Sequence, residues 1–143
     1  MRQYTRVLIG FALLTLTVGT LLFFLSRPDS KHEFLSQANE YIYDEQNGEL
    51  IFFAAGCGSC HKDPSPSSPN ELMAGGMALE TEFGIFFSPN ISPDKDYGIG
   101  SWNLAEFSNA LRKGISPNNT HYYPVFPYTS YQGMSDKDVA DLY

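Results

Sequence analysis

Cys57 and Cys60 are the only cysteines among 143 residues, and they stand together as Cys57-Gly58-Ser59-Cys60-His61. Two thiols three residues apart, with a histidine directly after the second, have the spacing of a covalent c-type haem attachment site. A short helical turn lets the thiols add across the two vinyl groups of one porphyrin. The next side chain then falls under the iron, where an imidazole nitrogen ligates it. Competing chemistries fit less well. A thioredoxin-type dithiol needs no following histidine and normally lies in a βαβ setting, which this sequence lacks. A structural zinc takes about four ligands, and the other histidines, His32 and His121, are far off in sequence. The expectation is one covalent haem c, with Cys57 and Cys60 as thioether attachments and His61 as proximal iron ligand. A redox disulfide is the runner-up.

A short helix must deliver this turn. Asn47 to Ala55 reads as that helix, with Asn47 as its cap and Gly48 and Phe52 on one face. Glycine at position 48 permits close approach of another helix. Asp63 to Asn70, with Pro64, Pro66 and Pro69, is a loop leaving the motif, and Gly75-Gly76, Phe83-Gly84, the stretch Ser88 to Asp94 and Gly98-Ile99-Gly100 are turn chemistry. Ser101 to Lys113 reads as a helix capped by Ser101, with an apolar stripe of Leu104, Phe107, Ala110 and Leu111 and a left-handed close at Gly114. Ser116 to Gly133 is a Pro- and Tyr-rich loop. The last helix opens at Ser135, with Asp136 and Asp138 in its first turn, and stops at Tyr143 without a C-cap signal. That shortness suggests truncation.

The ends and the charge bound the setting. Val7 to Leu25 are nineteen consecutive uncharged, mostly apolar positions, the length of a helix that spans a bilayer. Arg2 and Arg6 precede them, which places the rest of the chain on the periplasmic side of a bacterial inner membrane, where c-type haem is attached. A retained anchor is favoured over a cleaved signal because the run ends without a small-x-small site. The expected organisation is an anchor over 1–27, a tether over 28–45 and a haem domain over 46–143. The tether carries Phe34, Leu35, Ala38, Tyr41 and Ile42 at helix-like intervals, the alternative being a disordered spacer. The formal charge is −7, and setting aside Arg2 and Arg6 leaves seven basic residues against sixteen acidic ones, a balance of −9. That disfavours nucleic acid, which needs a basic face. It suits docking on a basic patch of a redox partner, or simply favours solubility.

Taken in order, the pieces resemble a known family. Gly48 with Phe52, the CxxCH motif, Gly75-Gly76, Phe83-Gly84 and Asn90-Ile91-Ser92-Pro93-Asp94 are followed by Gly98-Ile99-Gly100-Ser101-Trp102 and by Glu106-Phe107 with Ala110 to Gly114. Tyr123 to Tyr128, then Ser135-Asp136 with Asp138-Val139, complete the set. This is similar to small single-haem cytochromes c, in particular the haem domains in cytochrome subunits of bacterial membrane-bound alcohol and gluconate dehydrogenases. The resemblance covers Gln46 to the end. It implies an all-α cytochrome c-type domain behind the N-terminal transmembrane helix, and periplasmic electron transfer in a quinone-pool or terminal-oxidase context. It also implies that Asn90, Trp102 and Arg112 hydrogen-bond the haem propionates, although Trp102 serves equally as core, and that Pro124, Phe126 and Tyr128 line the haem.

The sequence departs from the pattern at the sixth iron ligand. Many relatives carry methionine in the Pro-rich loop where this chain has Phe126, which has no lone pair to give. Some relatives with that phenylalanine have a methionine just before the last helix, as Met134 stands here. Met134 is the favoured distal ligand, in competition with a role as a hydrophobic staple toward Val139. Met73 and Met77 read as haem-edge packing, and His121 as a solvated loop histidine. The expected function is electron transfer between a membrane or periplasmic dehydrogenase, or a quinol-oxidising complex, and a downstream acceptor, with no catalysis of its own. The alternative is a haem-based ligand sensor or small peroxidase with an open distal site.

Overall fold

The computed structural model describes residues 2–28, 41–67 and 72–143. Most of the tether's helix-like recurrence, including Phe34, Leu35 and Ala38, lies outside the described residues, as do Pro69 and Asn70 of the first loop.

Helix α1 (Arg2–Leu25) is exposed from Gln3 to Leu25. Its segment Gln3–Leu25 contains an 18-residue stretch with a mean hydropathy of 2.4 and is long and apolar enough to cross a membrane. The helix also satisfies its own polar side chains. Thr15, Thr17 and Thr20 donate their hydroxyls to the carbonyls of Ala12, Leu13 and Leu16 within the same helix. Internal satisfaction of this kind is what a hydrocarbon solvent demands.

The remainder is mostly helical, built from α2 (Glu45–Ala54), α3 (Cys57–His61), α4 (Leu104–Lys113) and α5 (Asp136–Leu142). Between α3 and α4 lies an antiparallel hairpin of β1 (Ala78–Thr81) and β2 (Gly84–Phe87), in register Ala78 with Phe87 and Thr81 with Gly84. The sequence shows this segment only as turns. Its strands are four residues each, and only Leu79, Thr81 and Phe86 are partly covered.

The core sits where α4 meets α5. Leu104, Leu111, Val139 and Ala140 form it, with Tyr41, Phe107, Phe126, Tyr131, Met134 and Leu142 packed around them. The expected stripe on α4 is thus buried, with Phe107 half-covered. Gly114 closes α4 at φ 64° as expected, and a Cβ there would come within 2.5 Å of the Tyr128 ring.

Two helix caps differ from expectation. Helix α4 is capped by Asn103 rather than Ser101. Asn103 accepts from the Glu106 amide and Glu106 reaches back to the Asn103 amide, a reciprocal pair that satisfies two otherwise unpaired donors. Helix α2 is capped by Asp44, which accepts from the Asn47 amide. The Asn47 side chain instead crosses to α5, donating to Asp138 at 3.3 Å and to Asp141 at 2.7 Å. Ser135 caps α5 as expected, accepting from the Asp138 amide.

Helices α2 and α5 cross in close contact. A Cβ on Gly48 would collide with the Asp141 carbonyl oxygen, so only glycine allows it. The buried Asp141 carboxylate ties the crossing together. It accepts from the Tyr41 hydroxyl at 2.6 Å, the Asp44 amide at 3.0 Å, Asn47 and Lys137. Burial pushes this carboxyl up, but hydrogen bonds from Lys137, Tyr41, Asn47 and Asp44 outweigh it and hold the group well below the usual carboxylate range.

Candidate haem site

Helix α2 ends at Ala54, and Gly56 at φ 70° turns the chain into α3. The left-handed turn separates the two helices and lets Cys57 to His61 form a single helical turn of its own. Ser59 secures its start, with amide and hydroxyl both donating to the Gly56 carbonyl, at 3.0 and 2.6 Å. Residues three apart share a helix face, so Cys57 and Cys60 lie on one side of the turn, both free thiols and both half-buried. Burial raises the Cys57 thiol above its ordinary value, and the charge of Cys60 adds to the effect. A redox dithiol works the other way, with a lowered thiol in an electropositive setting.

His61 is oriented from behind. Its Nδ1 lies 2.8 Å from the Pro89 carbonyl oxygen. A carbonyl only accepts, so Nδ1 carries the proton and Nε2 keeps its lone pair for a metal. This is the outer-shell arrangement that fixes the tautomer and ring plane of a ligating histidine.

The Pro89 carbonyl is itself held by two adjoining strips of backbone. The Gly75 amide donates to the His61 carbonyl at 2.8 Å, and Gly76 to Ser88 at 2.9 Å. Ser88 returns a bond to Met77, Met77 donates to the Ser88 hydroxyl, and Ile91 donates to Met73. Gly75 sits at φ 73°, and a Cβ there would collide with the Ser88 carbonyl and lie 2.5 Å from the Pro89 oxygen. The sequence marks Gly75-Gly76 and Ser88-Pro89 as turns, but a backbone carbonyl has no side-chain signature, so the role of Pro89 is not visible there. Met73 packs on the α3 turn, its Cε and the Phe52 ring both lying against Gly58. Met77 lines a surface cleft with Gly58, Ser59 and Lys62.

The Pro-rich loop is tied through Tyr131 to the chain just before the thiols. Phe126 makes an edge contact with Tyr122 at 6.1 Å and tilted contacts with Tyr131 at 6.1 Å and Tyr128 at 6.5 Å. The Tyr131 hydroxyl donates to the Ala55 carbonyl at 3.1 Å. Its ionisation is pushed up by burial and then by the charges of Cys57 and Cys60. Tyr131, absent from the sequence expectations, is thus a residue of the site.

Met134 is half-buried against the core, with its amide donating to Tyr131 and its carbonyl accepting from Arg112. Asn90 is half-buried and accepts from the Ser92 amide, bracing the turn after Pro89. Trp102 is half-buried, and its carbonyl accepts from the Tyr143 hydroxyl. Pro124 is exposed, and His121 is exposed in a tight turn bridged to Ile115. Among the described residues no cluster of three or more His, Cys, Asp or Glu could hold a metal ion on its own.

The donor set fits a haem. An imidazole fixed through one nitrogen and two thiols on the same helical turn would hold a haem by two thioethers and ligate its iron. Fold and site together define a helical c-type haem domain. A family profile described as Cytochrome c matches residues 45–143, and the chain belongs to that family. Cytochromes c of this kind bind haem covalently, and Cys57 and Cys60 supply one attachment site. Three relatives illustrate the setting. A protein named diheme cytochrome c-type from Cereibacter sphaeroides is 53% identical over 100 residues, 69% of this chain and 34% of that protein. The gluconate 2-dehydrogenase cytochrome c subunit of Pantoea cypripedii is 35% identical over 132 residues, 92% of this chain and 27% of that protein. The fructose dehydrogenase cytochrome subunit of Gluconobacter japonicus is 38% identical over 96 residues, 67% of this chain and 19% of that protein. The chain spans about a third or less of the length of these curated relatives. Electron transfer is the role of the matched domain.

Proposed function

We propose that this chain carries electrons through a single haem c, on the periplasmic face of a bacterial inner membrane, between a membrane or periplasmic dehydrogenase or quinol-oxidising complex and a downstream acceptor. The observation that carries the reading is the His61 Nδ1 to Pro89 bond, because it prepares one imidazole nitrogen for iron. When bound, the haem supplies a one-electron couple whose potential follows its axial ligands and surroundings. The protein does the rest. Cys57 and Cys60 would hold the haem through thioethers, and His61 and Met134 would ligate its iron. Phe126 and Tyr131 exclude water from the distal face, and a dry, soft-ligated site raises the potential. Helix α1 is the anchor, the residues between it and Tyr41 are the tether, the folded domain taking in Tyr41 and Asp44, and Arg2 and Arg6 stay on the cytoplasmic side. The acidic balance of the exported part suits a partner with a basic docking patch. The names of the relatives favour a dehydrogenase as electron donor.

The test is the ferric spectrum and carbon monoxide reactivity of the haem-loaded protein beside Met134→Ala. The expected wild type shows the weak long-wavelength band of thioether-ligated haem and resists carbon monoxide; Met134→Ala loses the band and gains rapid binding. A wild type that is five-coordinate and binds carbon monoxide quickly would instead establish a ligand sensor or small peroxidase.

A further inference from the structure

Arg112 projects from the last turn of α4, and each of its three side-chain nitrogens already has an acceptor. Nε donates to the Ser108 hydroxyl at 3.2 Å, and Nη1 to the backbone carbonyl of Met134 at 3.1 Å. Nη2 pairs with Asp136 at 2.7 Å, the Arg112 side chain being 15% exposed against 52% for Asp136. Ser108 is fully buried. The guanidinium therefore reaches from the interior of α4 to the segment that leads into α5, and it touches that segment on both sides of Ser135.

Met134 is fixed by this arrangement at both of its peptide groups. Its amide donates to the Tyr131 carbonyl at 3.1 Å, and its carbonyl accepts from Arg112. Tyr131 is in turn pinned through its hydroxyl to Ala55, two residues before Cys57. Methionine has three rotatable bonds and takes no position of its own. With its backbone clamped, only the side-chain torsions are left to set where the sulfur lies. The planar fork of arginine suits this task, since one group serves three acceptors at fixed angles; a lysine ammonium is a point charge without that geometry.

We propose that Arg112 is a positioning residue for the distal iron ligand, holding the Met134 backbone so that the thioether is presented to the haem. This rests on the reading of Met134 as that ligand. It is a different role from the propionate contact that the family resemblance implies for Arg112, and three of the five guanidinium N–H donors are already committed to acceptors within the protein.

The haem-loaded full chain tests it, as wild type, Met134→Ala, Arg112→Ala, Arg112→Lys and Asp136→Asn. The readouts are haem-stained gels, the ferric long-wavelength band, the midpoint potential and the fraction of ferrous protein that binds carbon monoxide rapidly. Arg112→Ala is expected to keep covalent haem, weaken the band, lower the potential and raise the rapidly binding fraction on the order of tenfold, the worth of one hydrogen bond from a charged donor. Asp136→Asn removes the charge partner and leaves the Met134 bond, so its rapidly binding fraction should stay within about threefold of wild type. A band that survives Met134→Ala overturns the assignment of the ligand itself. A band lost in Met134→Ala but unchanged in Arg112→Ala overturns the positioning role alone. So does an Asp136→Asn protein that matches Arg112→Ala, which would mean a general loosening of α5. If Arg112→Ala yields no folded haem protein, Arg112→Lys carries the test: a weakened band supports the role of the fork, and an intact band with wild-type potential overturns it.

Discussion

The two faces of the haem site are built from different materials. Behind His61 the support is backbone against backbone, with residues 73–77 and 88–91 laced by amide–carbonyl bonds and Gly75 leaving no room for a side chain. On the side of the Pro-rich loop the support is side chain against backbone, with the Tyr131 hydroxyl on Ala55 and the Arg112 guanidinium on Met134. A backbone lattice is indifferent to most substitutions and admits few conformations. Side-chain ties can be exchanged one at a time. The proximal half is thus the rigid frame of the site, and on the reading proposed above the distal half is where ligand and potential are adjustable. Phe126 and Met134 both belong to the adjustable half.

The largest effect should come from breaking the frame. Gly75→Ala puts a Cβ into the Ser88 and Pro89 carbonyls at a positive φ, and should cost about 3 kcal/mol or more. Thermal unfolding together with haem content reads it; wild-type values for both would erase the distinction between the two faces. Next is the tie outside both faces, Asp141. A carboxyl held below its unfolded value stabilises the fold above about pH 4 and loses that contribution as pH falls toward its folded value. Urea unfolding from about pH 6 down to about pH 2 should show wild-type stability falling below about pH 4, with a shallower fall in Asp141→Asn. Parallel curves would mean that the α2–α5 crossing does not depend on this charge. The smallest effects form a matched pair of about 1 kcal/mol each. Ser88→Ala removes the bond to the Met77 amide on the proximal side, and Tyr131→Phe removes the bond to Ala55 on the distal side. Both should unfold slightly earlier, but only Tyr131→Phe should change the carbon monoxide association rate. Equal rates in the two variants would show that the faces are not independently adjustable.

The chemistry of the site was legible where side chains announce it. Cys57, Cys60 and His61 declare themselves by spacing, Gly48 by its place opposite a packing face, and Leu104, Ala110 and Leu111 by period. The capping pair Asn103 and Glu106 was also in the sequence, three residues apart, and lost to the nearer turn residue Ser101. Asp44 was hidden behind Asn47 in the same way, since either side chain can cap. The hairpin 78–87 was not legible, because strands this short and this exposed leave no alternation to read. The Pro89 carbonyl and the Arg112 clamp were beyond reach in principle. Each depends on what the chain brings together from residues 28 and 22 positions apart, and not on residue type.

The contact between Gly48 and the Asp141 carbonyl has a consequence for the order of events in the life of this chain. It joins α2 to α5, with the Asp44 amide reaching the Asp141 carboxylate across 97 positions. A chain delivered from its N-terminus presents the CxxCH turn long before the helix that covers the neighbouring face exists. Such non-local closure comes late. The turn that carries the thiols therefore emerges before residues 136–142, whose arrival completes the α2–α5 contact.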